Sequence, residues 1–123
     1  MTRVRAVAVV SAVYDAVIGI AMLVAQSLLS QVFAVPLPSP PIHADLNGVF
    51  LLAVAGGYLI PYFSPRSSEG RAYLWTMGTL LKGAGALTFV LDHYFRGSPN
   101  AYLLFAVGDG TLAVLTTWVL VTA

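Results

Sequence analysis

Four stretches of nearly unbroken apolar residues run along this chain, each close to 20 residues long and each bounded by a short polar or proline-bearing break. That length is what a helix needs to cross a bilayer. The pattern predicts helices over 6–25, 46–63, 72–91 and 101–121, and so an all-α, four-helix transmembrane bundle forming one domain over 1–123. Pro36, Pro38, Pro40 and Pro41 make the first break extended and incompatible with a helix, and Ser64, Pro65, Ser67, Ser68 and Gly70 make the second a short turn. In the third, Gly97 suits a left-handed cap, while Ser98 and Pro99 suit the N-cap and first position of the next helix. The less apolar segment 26–33, with Gln26, Ser27, Ser30 and Gln31, reads as an extension of the first helix toward the interface.

Three ionisable residues interrupt the apolar runs near their centres: Asp15, Lys82 and Asp109. A charge at that depth costs roughly 2.5 to 3.5 kcal/mol on insertion scales, so it requires a partner, a polar cavity or a task. Counting along each helix places all three in one belt, roughly 12 to 18 Å from the same end of the bundle at 1.5 Å per residue. Small residues flank them at helical spacing: Ser11, Ala12 and Gly19 around Asp15, Gly78, Thr79, Gly85 and Ala86 around Lys82, and Gly108 and Gly110 beside Asp109. Such faces are where membrane helices pack closely, so the belt is expected to face inward. One reading is structural, a Lys82–Asp109 ion pair with Asp15 protonated or bound to a hydroxyl. The other is a proton- or ion-coupled site, because two acids and one base leave one negative charge that a single proton would neutralise.

Composition decides the environment. With 59% hydrophobic and 9% charged residues and a mean hydropathy of +0.86, the chain is too apolar to cover itself with polar surface in water, and its expected partner is the lipid bilayer. A net charge of +1 with scattered arginines excludes a nucleic-acid footprint. The absence of cysteine removes disulfides, thiolate nucleophiles and thiolate metal sites. Arg3, Arg5, Arg66 and Arg71 lie on one side of the predicted spans and Arg96 on the other, which puts both termini in the cytoplasm. The first span is read as a retained helix rather than a signal peptide, since its apolar run is long, holds Asp15 and lacks a small-residue cleavage site.

At the opposite face a second set of polar residues gathers by topology: His43 and Asp45 before helix two, and Asp92, His93 and Arg96 after helix three. Two imidazoles and two carboxylates suit a transition metal, and an imidazole suits a tetrapyrrole. The plainer reading is a solvated loop set with Asp45 as a helix N-cap. No cofactor is required by the sequence. Phosphate-loop, nucleophile-elbow and zinc-protease signatures are missing, and an Asp45–His93 acid–base pair would lack a nucleophile, so the reading is non-catalytic.

The succession Tyr14-Asp15, Gly19, a proline-bearing connection, Asn47-Gly48, Lys82-Gly83 and Gly108-Asp109 resembles the DoxX-like group of small bacterial four-helix membrane proteins. That resemblance implies a four-helix bundle, residence in a bacterial inner membrane and, for some members, a role as a membrane subunit of quinone-linked oxidoreductases. The small multidrug exporters are similarly short and carry an acid in helix one, but Lys82 and the four-to-one arginine bias depart from them. The expectation is therefore a non-catalytic integral membrane subunit, an accessory or assembly component of a redox or energy-transducing complex with a membrane-protein partner. The alternative is a homo-oligomeric proton-coupled transporter, or a small-ligand-binding membrane protein, that uses the charged belt.

Overall fold

In the computed structural model, which describes residues 2–123, the chain is 84% helix with no strand among the described residues. Five helices account for it: α1 (Arg3–Val24), α2 (Gln26–Phe33), α3 (Ile42–Phe63), α4 (Ser68–Arg96) and α5 (Asn100–Thr122). All but α2 are long and apolar enough to cross a membrane. Each of these four begins three or four residues before the expected position in α1, α3 and α4, and one residue before it in α5.

The local causes are legible at the helix ends. Thr2 caps α1 by accepting from the Arg5 amide at 3.2 Å, and Ser67 caps α4 by accepting from the Gly70 amide at 2.9 Å. Gly97, at φ 70°, closes α4 in the left-handed conformation that its sequence position suggested. Ser98 and Pro99 depart from expectation. The Ser98 hydroxyl turns back to the Asp92 carboxylate, and Pro99 stands one position before a 3₁₀ turn, Asn100–Tyr102, that opens α5. Segment 26–33 is a helix of its own, because the backbone leaves helical geometry at Ala25 (φ −136°, ψ 38°).

Inside α4 the stretch Leu74–Leu81 is π-helical. Its buried positions, Gly70, Leu74, Gly78 and Lys82, recur every four residues. In an ideal α-helix of about 100° per residue that spacing drifts by about 40° each step. The wider π turn winds more slowly and cancels the drift, holding the four on one line that ends at Lys82.

α1 packs along α3, α4 along α5, and α1 also along α5, while the close of α3 meets the start of α4; α1 and α4 thus face each other across the bundle. The α1–α3 crossing is backbone on backbone. A Cβ built on Gly19 would stand 2.9 Å from the Gly48 carbonyl oxygen, and one on Gly48 would stand 2.8 Å from that of Gly19. α4 and α5 meet where Gly78 leaves room for Thr116 and Thr79 shares a 3.1 Å hydroxyl contact with Thr117. Burial is uneven along the axis. The core of Val4, Val7, Ala8, Val54, Tyr58, Leu74, Val119 and Leu120 fills the end that carries Arg3 and Thr122, here the near end. Beyond the Asp15–Lys82 level toward the far end, only Gly19, Gly48 and Ala106 are buried among the described residues.

Candidate functional site

Where the packed half gives way to the looser half, the three ionisable residues meet. Lys82 Nζ donates to Asp15 Oδ1 at 2.6 Å, and Asp109 Oδ1 lies 3.9 Å from the same ammonium. The expected partner order is reversed: Asp15, not Asp109, holds the lysine. The reason is topological. Asp109 sits on the neighbouring helix α5, whereas Asp15 projects from α1 across the bundle, directly in the path of a long side chain leaving α4.

Exposure separates the two acids. The Asp15 and Lys82 side chains are 2% and 5% exposed, that of Asp109 is 20%. In a low-dielectric interior a charge must be paired or pay a large desolvation penalty, and the pair meets that condition with one short, charge-assisted contact. Asp109 is the surplus carboxylate. Its Oδ2 lies 3.5 Å from where a Cβ on Gly85 would stand, so Gly85 makes room for this acid rather than for a helix backbone.

Tyr14 closes one side of the site. Its ring centroid is 5.0 Å from Lys82 Nζ, within cation–π range, and its hydroxyl rests against Gly108, where any larger residue would displace it. Beyond Tyr14 an apolar groove of about 420 Å³, open to the outside of the bundle, runs between α1, α2 and α5, lined by Val17, Ile18, Leu29, Phe33 and Phe105 as well as the Tyr14 ring. Phe33 and Phe105 are 5.3 Å apart, and Phe105 stacks at 5.5 Å on Phe89. Aromatic surface therefore covers the far side of the charged centre.

On its near side lie polar atoms that have no partner among the described residues: Asp15 Oδ2 and the hydroxyls of Ser11, Tyr58 and Thr116, all in buried side chains. Buried polar atoms are rarely left unpaired, and four in one bundle mark a region with spare hydrogen-bonding capacity. Ser11 belongs to the close-packing face that the sequence marks around Asp15. Thr116 carried no signal beyond its register with Asp109, seven residues apart on one helix.

His43, Asp45, Asp92 and His93 are not brought together as a ligand set. Asp45 lies within the first turn of α3 instead of capping it, and its Oδ1 accepts from Gln26 Nε2 at 2.8 Å. His93 Nδ1 pairs with the Ser98 carbonyl at 2.8 Å, and Asp92 accepts from Ser98 and, at 3.4 Å, from Arg96. His43 is exposed. Among the described residues no three His, Cys, Asp or Glu side chains stand together as a metal-holding group. Local capping competes for these atoms and wins, because each partner is only a few residues away or on the adjoining short helix.

Comparison with protein-family models, with curated proteins and with solved structures gives no match for this chain.

Proposed function

We propose that this chain is an integral membrane protein of four spans, with both termini cytoplasmic, whose Asp15–Lys82–Asp109 centre binds a small ligand in exchange for a proton. Four helices of membrane-spanning length and hydropathy support insertion. Most of their large exposed side chains are apolar, as with Val13, Val17, Leu80, Leu87, Val107 and Val114. The arginine bias supports the orientation, with four arginines at the near end against Arg96 at the far end.

The observation that carries the functional reading is the inequality of the two carboxylates. Asp15 and Lys82 neutralise one another in a closed pair, so the belt's single uncompensated charge falls on Asp109, the less buried of the two acids. Two carboxylates sharing one cation are the arrangement in which one proton changes the net charge of a site from minus one to zero. An open apolar groove of a size comparable to small-molecule sites, about 300 to 1,000 Å³, adjoins the centre through Tyr14, the residue common to both. Tyr14, which lines the groove and packs against the Lys82 ammonium, supports a coupling between the two.

Infrared titration of the carboxyl groups in lipid nanodiscs tests this. A protonation band that Asp109→Asn removes and Asp15→Asn retains is the expected result; a centre in which neither substitution alters any titrating band is a fixed structural tie, and the proposal fails.

A second reading is favoured by the shortness of the α3–α4 and α4–α5 connections and the breadth of exposed apolar helix surface. It is the accessory-subunit role in a larger membrane complex, the role that the resemblance to the DoxX-like group implies. Mild extraction followed by native mass spectrometry decides it: a stoichiometric partner supports a subunit, and recovery of this chain alone removes that support.

A further inference from the structure

Between α1 and α5, on the face turned away from the charged centre, a groove of about 220 Å³ runs from Arg3 down the helices. Arg3, Ala6, Val7 and Val10 lie on α1 at i, i+3, i+4 and i+7, one stripe of a helix, and Leu112, Leu115 and Val119 form the matching stripe of α5. Val7, Leu112 and Val119 are its buried floor, while Val10, Leu115 and Trp118 stand half exposed as its rims. From Arg3 to Val10 the groove is about 10 Å long, most of the depth of one leaflet of a hydrocarbon core about 30 Å thick.

The head of this groove is cationic and uncommitted. Arg5 donates through Nε to the Tyr62 carbonyl at 2.9 Å and Arg71 through Nη2 to the Leu120 carbonyl at 2.9 Å, each capping the end of a neighbouring helix. Arg3 has no such partner among the described residues. Its guanidinium lies 4.9 Å from the centre of the Trp118 ring, which fixes the side chain at the mouth of the groove and leaves its N–H fork free. An arginine fork matches a phosphate, and an indole beside it is suited to the headgroup boundary.

We infer that this groove holds one anionic phospholipid of the cytoplasmic leaflet, with its phosphate on Arg3, its glycerol region beside Trp118 and an acyl chain on the Val7–Leu112–Val119 floor. The inference rests on the membrane placement proposed above, but not on the role given to Asp109. Charge complementarity selects the occupant: a chain alone would fill the floor equally well from any lipid, whereas the free guanidinium adds a preference for a headgroup with net negative charge.

The chain has two tryptophans, Trp75 and Trp118, so fluorescence reads the site directly. In vesicles, the Trp75→Phe protein reports Trp118 quenching by phosphatidylglycerol or phosphatidylcholine carrying brominated acyl chains. The expected result is a preference of about fivefold for the brominated phosphatidylglycerol, the ratio that corresponds to one basic residue at an anionic surface. Arg3→Gln should bring that ratio to one, and Arg66→Gln, outside the groove lining, should leave it unchanged. Equal quenching by the two lipids in the Trp75→Phe protein, or a preference that survives Arg3→Gln, overturns the inference. The Trp118→Phe protein reads membrane placement through Trp75. Trp75 quenched by both lipids while Trp118 is quenched by neither means that a protein surface covers the groove, which overturns the lipid but keeps the placement. If neither tryptophan responds to either lipid, both readings fall.

Discussion

Replacing Lys82 by methionine tests the central contact most directly, since it keeps the bulk of the stem and removes only the charge. Asp15 Oδ1 has Lys82 as its hydrogen-bond partner at 2.6 Å, and Asp15 Oδ2 has none among the described residues. The substitution therefore strands a carboxylate that is 2% exposed. Breaking a buried ion pair from one side costs about 3 to 5 kcal/mol. That is roughly two to three and a half powers of ten in the folding equilibrium, at 1.4 kcal/mol per tenfold. Asp15→Asn should cost less, about 1 to 3 kcal/mol, because the lysine keeps Asp109 as a second, longer partner. Asp109→Asn should stay within about 1 kcal/mol of the unsubstituted protein, as expected for a longer and partly exposed pair. Combining Lys82→Met with Asp15→Leu should recover most of the loss, since replacing both members of a buried pair by apolar groups is often neutral or better. Reversible unfolding in mixed detergent and dodecyl sulfate micelles supplies the free energies, and double-mutant cycles isolate the couplings. A Lys82–Asp109 coupling equal to or larger than the Lys82–Asp15 coupling would refute the assignment of the lysine to Asp15.

Four further outcomes follow from the packing and the proposed placement. Gly48→Ala should destabilise by about 1 to 3 kcal/mol in the same assay, because its Cβ meets the Gly19 carbonyl at 2.8 Å and backbone must move. Gly56→Ala, with nothing within 4 Å of the added methyl, should instead be neutral or stabilising by up to about 1 kcal/mol, which separates steric crossing from a general intolerance of α3. Gln26→Ala should cost about 1 kcal/mol and increase hydrogen exchange in Gln26–Phe33, since Gln26 Nε2 ties α2 to both the Met22 carbonyl and the Asp45 carboxylate at 2.8 Å. With no native cysteine, single-cysteine labelling maps topology: Ser98→Cys should react with an impermeant maleimide from the outside of intact cells and Ser67→Cys only after permeabilisation, and the opposite pattern would invert the orientation.

The class of the fold and the number of membrane-length helices were legible in the sequence, because apolar runs of about 20 residues bounded by proline and glycine leave the backbone few alternatives; the separate helix 26–33 and the extra turns at the helix ends were not. The depth of Asp15, Lys82 and Asp109 was legible for the same reason: rise per residue is a local property, so counting along each helix places them at one level. Which acid takes the lysine was not. That depends on which helices are neighbours and which stand opposite, and on a π-helical stretch that turns Lys82 toward α1, neither of which leaves a mark in hydropathy. The polar residues near the far end failed for a related reason. Loop side chains spend their hydrogen bonds on nearby caps, as Asp92 and His93 do with Ser98, and topology alone cannot bring them into one coordination sphere. The glycines mark the boundary most clearly. Sequence identified Gly19, Gly85 and Gly108 as positions of close approach, though not Gly48, and only the tertiary structure decided whether the space admits a backbone, as between Gly19 and Gly48, or a side chain, as Gly85 does for Asp109 and Gly108 for Tyr14, because what fills the room left by a missing Cβ is set by the helix across from it.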